Sequence, residues 1–228
     1  MNSEMVLYHG STDIIGRPVF GRGKRTNDYG LGFYCTESQD LAKEWACGNG
    51  SSGYANEYHL NMENLSVLDI NSLDHHVLRW TAILLDNRDV QLSTQMALAA
   101  KDFLLNHYLV DISRFDVIRG YRADDSFFDM MNDFINGSIS YEVYRQALHL
   151  GNLGEQIMLK SRRAFESVKP AGYSTADAKT FYSKYRKRNE DAQERYLELQ
   201  RKHGFSENDV IISDMIRGTV TEDDPRIQ

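Results

Sequence analysis

The stretch Asp28-Tyr-Gly-Leu-Gly-Phe-Tyr-Cys-Thr-Glu-Ser-Gln-Asp-Leu-Ala-Lys-Glu-Trp45 decides how this chain is read. Leu31 to Cys35 reads as a short strand. Thr36-Glu-Ser-Gln39 has the Thr-x-x-Gln spacing of a capping box, so a helix is expected to start there with Leu41 and Trp45 on one face. Gly48-Asn-Gly-Ser-Ser-Gly53 ends it. Upstream, Met5 to His9 alternates apolar residues and stops at Gly10, a strand leading into a loop where the backbone can approach a ligand. A histidine at one strand end, a tyrosine at another and a tryptophan on the next helix are suited to clasping a flat, sugar-linked aromatic ring.

Outward from this pair of motifs, Gly16 to Gly30 carries several glycines, one proline and four basic side chains and reads as a long loop. Tyr58 to Met62 and Leu65 to Ile70 are expected strands, in a hairpin or side by side. From Ser72 to Tyr108 apolar residues recur at three and four (Val77, Trp80, Leu84, then Met96, Phe103, Leu104, Tyr108), broken at Asn87-Arg-Asp89, which predicts a helical insertion between strands. Phe115 to Arg119 returns to alternation and ends at Gly120. Asp124-Asp125 then reads as the cap of a helix over 126–135. Tyr141 to Leu150 is a further helix, and Gln156 to Lys160 a strand with Ile157 and Leu159 on one face and Gln156, Met158 and Lys160 on the other. Ala176 to His203 is charged and helix-forming with a sparse stripe of Phe181, Tyr185, Tyr196 and Leu197, either a packed outer helix or one that binds a partner.

At 228 residues the chain can bury one sizeable core with a smaller appendage, and 41% apolar with 26% charged residues argues against disorder. No run approaches the roughly 18 uncharged apolar residues of a membrane span, and the start lacks a signal peptide's basic and apolar segments, so the cytoplasm is the expected location. Cys35 and Cys47 cannot form a disulfide framework. The formal charge of -7 makes nucleic acid an unexpected partner, although Lys160-Ser-Arg-Arg163 and Lys184-Tyr-Arg-Lys-Arg188 are local basic patches. The second sits among acids and reads first as a solvated helix face. His75-His76 has no third ligand at metal spacing, and no metal site is expected.

Leu7-Tyr-His-Gly-Ser11, then Gly32-Phe-Tyr-Cys-Thr36 with an aromatic eleven residues beyond Tyr34, then a strand opening at Glu155-Gln156, resembles the ordered His, Tyr, Glu/Gln signature of ADP-ribosyltransferases of the diphtheria-toxin type. More closely, Asp28 to Thr36, Asn87-Arg88, Asp116-Val-Ile-Arg-Gly-Tyr-Arg-Ala-Asp-Asp125 and Glu155-Gln-Ile-Met-Leu-Lys160 look like a bacterial family catalogued as a domain of unknown function. Its members are proposed to be toxins with this fold, encoded beside a small antitoxin. The likeness covers about Met5 to Val168. It implies an α+β fold with a split β-sheet core over residues 1–169, a helical insertion at about 72–110 and a charged helical extension over 170–228.

The resemblance also implies a function: a mono-ADP-ribosyltransferase, toxin of a toxin–antitoxin pair, that cleaves NAD at the nicotinamide–ribose bond and hands ADP-ribose to a protein acceptor. NAD is then the co-substrate, and an antitoxin a further partner. Nicotinamide is a flat cation, so stacking between Tyr34 and Trp45 joins apolar burial to a cation–π attraction of about 0.5–2 kcal/mol. His9 offers a ring nitrogen to a ribose hydroxyl, the Gly10 backbone can pair with the carboxamide, and Ser11 can bond a neighbouring hydroxyl. Bond cleavage builds positive charge on the sugar, the demand that carboxylates meet in glycoside hydrolysis. In the transferases a glutamate opening the third strand answers it. Here the residue before Ile157-Met-Leu159 is Gln156, with Glu155 one earlier, and successive strand residues face opposite ways. Register favours Gln156, as the resembling family implies; Glu155 or Asp124/Asp125 are the alternative carboxylates. Arg88 and Arg119 read either as anchors for the NAD pyrophosphate or acceptor or as partners of local acids. Two other readings stay open: an NAD- or nucleotide-binding module acting through protein partners without catalysis, and an NAD glycohydrolase.

Overall fold

The computed structural model describes residues 4–123, 125–150 and 154–228. It is a mixed α+β fold with two sheets. Strand β1 (Glu4–Ser11) leads through a long loop to β2 (Phe33–Cys35) and helix α1 (Gln39–Cys47). The helix starts at Ser38, not at Thr36: the Ser38 hydroxyl accepts the Leu41 N–H, and Thr36 is held extended by reciprocal backbone bonds with Tyr8. Next come β3 (Gly53–Asn61), β4 (Val67–Asp69), α2 (His76–Asn87), α3 (Gln95–Tyr108), β5 (Val117–Tyr121), α4 (Asp125–Ile135) and α5 (Tyr141–Ala147). The chain continues as β6 (Glu155–Leu159), α6 (Arg162–Ser167), β7 (Val168–Ala176), α7 (Ala178–Lys202) and α8 (Ile212–Ile216). Among the described residues no helix is long and apolar enough to cross a membrane.

One sheet has the order β1-β3-β7, antiparallel throughout; the other has the order β2-β6-β5-β4, in which β4 and β5 run parallel. The two strands expected over Tyr58 to Ile70 form neither a hairpin nor a side-by-side pair, because β3 finds its partners in β1 and β7 while β4 joins β5 in the other sheet. A parallel neighbour requires a long crossover, and the segment carrying α2 and α3 supplies it. The sheets meet at an isolated bridge, where Tyr8 N–H donates to Thr36 at 2.7 Å and Thr36 N–H returns to Tyr8 at 2.9 Å.

Alternation sorts the side chains by face. Leu7, Tyr58, Leu60 and Val168 of the first sheet share a core with Cys35, Val117, Ile157 and Leu159 of the second and with Ala164 and Phe165 of α6. The opposite face of the first sheet carries α1. The approach there is close enough that a Cβ on Gly10 would lie 2.0 Å from the Ala42 carbonyl oxygen. On the second sheet, Tyr34, Met158, Ile118, Gly120 and Gln156 fall on the side away from the shared core.

By contacts the chain forms two units. The first takes the described residues of Met1–Asn71, Asp111–Arg122 and Leu153–Arg188 and holds both sheets; the second takes those of Ser72–Val110, Ala123–Asn152 and Asn189–Gln228 and is helical. The expected boundary after residue 169 falls inside β7, whose register with β3 continues from Leu60↔Val168 to Gly53↔Ala176. In the helical unit Trp80 packs on Phe127 at 4.4 Å, Phe134 stacks on Tyr144 at 4.5 Å, and the Tyr144 hydroxyl meets Thr81 Oγ1 at 2.8 Å.

Candidate functional site

His9 sits near the end of β1, its ring stacked on Phe33 at 4.3 Å and its Nδ1 2.6 Å from the Tyr34 carbonyl oxygen. A carbonyl can only accept, so Nδ1 carries the proton. Burial pushes the imidazole pKa below its ordinary value, against the smaller opposing pull of the Tyr34 carbonyl, which leaves a neutral ring whose Nε2 presents a lone pair. The next residue is turned differently. Tyr8 directs its N–H and C=O away from β3 toward Thr36, and by strand alternation Gly10 directs its own pair the same way, toward the side of β2. Ser11 ends the strand with its hydroxyl accepting the Asp13 N–H at 3.1 Å. Buried Asn56 braces the loop that follows: its amide donates to the His9 and Asp13 carbonyls, and its oxygen accepts the Ile15 N–H.

Tyr34 is fixed through its hydroxyl by two hydrogen bonds. Its hydroxyl donates to the Gly30 carbonyl at 2.6 Å and accepts the Tyr29 N–H at 3.1 Å, and its ring lies 9° from parallel to Tyr29 with centroids 6.4 Å apart. The segment 28–30 therefore folds over the face of the second sheet that bears Tyr34 and Gln156. There the Gln156 side-chain N–H groups donate to Asp28 Oδ2 at 2.6 Å and to the Tyr121 carbonyl at 3.0 Å. Both acceptors lack hydrogens, so the amide orientation is forced and Oε1 is left to accept. Tyr29 OH also donates to Tyr121 O, at 2.5 Å, and Asp28 and Gln156 are both buried.

Glu155 is turned to the other face, where Arg119 forks onto its Oε2 at 2.5 and 2.6 Å and Asn71 donates to its Oε1 at 2.7 Å. Arg119 also reaches Glu37 at 3.1 Å, so it pairs with local acids. Arg88, in the helical unit, lies over the Phe128 ring at 5.0 Å. Asp124 lies outside the described residues, and α4 begins at Asp125. Trp45 projects from α1 with the Arg122 guanidinium 4.3 Å from its ring centroid, and its buried indole N–H has no hydrogen-bond partner among the described residues.

The structure thus brings Tyr34 and Gln156 onto one face, ties His9 to the Tyr34 backbone, and sets Gly10 beside α1, which carries Trp45. Asp28, Tyr29, Tyr121 and Arg122 complete the arrangement. Sequence reasoning gave these four no role, although Asp28 and Tyr29 open the motif that contains Tyr34, and Tyr121 and Arg122 follow directly on Gly120 at the end of an expected strand.

The family described as "Protein of unknown function (DUF3990)" matches residues 5–169, a span that includes every one of these side chains. No curated protein and no solved structure matches the chain. Since the match covers well over half of the 228 residues, the chain belongs to this family.

Proposed function

We propose that this protein is an NAD-dependent mono-ADP-ribosyltransferase with an ADP-ribosyltransferase-like split-sheet core, the toxin of a toxin–antitoxin pair. The observation that carries the reading is that His9 Nδ1 is tied to the Tyr34 carbonyl where β1 and β2 meet, with the Gly10 backbone pair turned to the side of β2 and the Tyr34 ring held through its hydroxyl. These groups fit the nicotinamide riboside half of NAD. His9 Nε2 accepts a ribose hydroxyl, the Gly10 N–H and C=O pair with the carboxamide, and Tyr34 supplies an immobilised aromatic face. Trp45 already attracts a planar cation, the Arg122 guanidinium, which is the property a nicotinamidium ring requires of it. Gln156, with both amide N–H groups engaged, keeps its oxygen as an acceptor on the Tyr34 face.

NAD supplies a C1′–N bond whose electron pair leaves with neutral nicotinamide while an acceptor lone pair bonds C1′ and the acceptor gives up its proton. The protein's part is to orient that bond and stabilise the positive charge that grows on the sugar. Nicotinamide release and label transfer from labelled NAD test the reading. The wild type releases nicotinamide, and His9→Ala and Tyr34→Ala each cut turnover or binding by about tenfold or more. Full activity in a folded His9→Ala/Tyr34→Ala protein would discard the site. Free ADP-ribose without a modified acceptor would identify a glycohydrolase, and NAD binding without nicotinamide release would identify a binding module.

A further inference from the structure

We propose that Asp28 is a positioning residue that acts through Gln156, lending the charge of a buried carboxylate to a neutral amide at the point where sugar charge develops. The inference rests on the NAD-cleaving reading above. A neutral glutamine answers a cationic ribose poorly, since its oxygen carries only a partial charge. Here, however, the amide N–H is held 2.6 Å from Asp28 Oδ2, a short charge-assisted bond between two buried side chains. Donation to an anion draws electron density along the amide toward Oε1, and low local polarity strengthens the effect. The second N–H is fixed on the Tyr121 carbonyl, which Tyr29 OH also holds, so the amide can neither flip nor rotate away. The same segment that supplies Asp28 fixes the Tyr34 ring, through the Tyr29 N–H and the Gly30 carbonyl. One turn of chain therefore sets both the ring-stacking face and the acceptor beside it.

The alternative is a pair that merely braces the loop against the sheet, and charge exchange separates the two. Asp28→Asn keeps shape and can still accept the Gln156 N–H through its amide oxygen; the charge is lost and the other carboxylate oxygen becomes an NH2 donor. Gln156→Glu sets two carboxylates against each other at the same contact. The double exchange Asp28→Asn/Gln156→Glu restores a donor opposite an acceptor and moves the formal charge to position 156.

Nicotinamide release by the full chain, with kcat and KM for NAD measured separately and folding followed by circular dichroism, gives the test. Asp28→Asn is expected to lower kcat about tenfold or more while KM stays within about twofold, because a lost charge-assisted contact acts on the developing charge and not on ground-state binding. Gln156→Glu is expected to lose both stability and turnover, and the double exchange to recover much of both. Wild-type kcat in folded Asp28→Asn, or a double exchange no better than Gln156→Glu, would overturn the proposal and leave the NAD-cleaving reading standing. A wild-type protein that releases no nicotinamide overturns both. If Asp28→Asn alone does not fold, comparison of the double exchange with Gln156→Glu still decides.

Discussion

Gly10 shows how one residue can serve two surfaces. Its N–H and C=O are directed toward the side of β2, while the space a side chain would occupy is filled by the backbone of α1, with Ala42 O at 2.0 Å and Ala46 N at 2.8 Å from an ideal Cβ. Helix backbone cannot rotate aside as a side chain can, so Gly10→Ala must displace α1, and overpacking of this kind costs about 1–3 kcal/mol or more. Gly10→Ala is therefore expected to lower the unfolding free energy, read from a denaturant titration, by that amount and, because α1 carries Trp45, to weaken the NAD binding proposed above. A variant with unchanged stability would show that α1 does not pack as described. The strand placement of His9, Gly10 and Tyr34 was legible in the sequence because it depends on local alternation and order. The packing of Gly10 under α1 was not, since nothing local to Leu7-Tyr-His-Gly-Ser11 says which helix will lie beneath it. Asp28 was visible as a letter of the motif but silent as chemistry until Gln156, 128 residues away, arrived at its carboxylate.

At the scale of elements, α1 and α7 are joined by charge. Glu44 lies buried on α1, and Arg188 of α7 grips it with Nε to Oε2 at 2.9 Å and Nη2 to Oε1 at 2.8 Å. Lys184 adds Asp40 at 3.0 Å and lies over Phe181, whose ring also faces Lys43. The basic run 184–188 is thus not simply a solvated face: two of its cations are spent on the acids of α1. Sequence patterning could place the helix but not its partner, because a sparse apolar stripe leaves the docking face to long-range ion pairs. Arg188→Ala would strand a buried carboxylate, and losing one member of such a pair costs about 3–5 kcal/mol. Replacing both with apolar residues of similar size, Glu44→Leu/Arg188→Met, is expected to cost much less, since no charge is then left behind. Thermal unfolding of the two variants checks the order; equal losses would mean that Glu44 is relieved by water instead.

For the molecule as a whole, each of the two units is assembled from separated stretches of chain. Periodicity finds elements one after another, and it missed α6, β7 and α8, so the division was put after residue 169, where the family likeness stops. That position is the second residue of β7, the third strand of the first sheet. A chain cut there loses the strand that pairs β3 from Gly53 to Tyr58, Ala176 with its packing on Ala46 and Cys47, and the Arg188 counter-charge of Glu44. The helical unit loses as much: Tyr196, whose hydroxyl binds Asp133 at 2.6 Å, and the buried Val210, Ile212, Met215 and Ile227. Unpaired strand edges and exposed apolar faces favour aggregation over folding. A 1–169 fragment is accordingly expected to be insoluble, or to lack a cooperative melting transition where the 228-residue chain has one. Residues 170–228 are therefore structural members of both units, and a soluble, cooperatively melting 1–169 fragment would restore the reading of that segment as an extension.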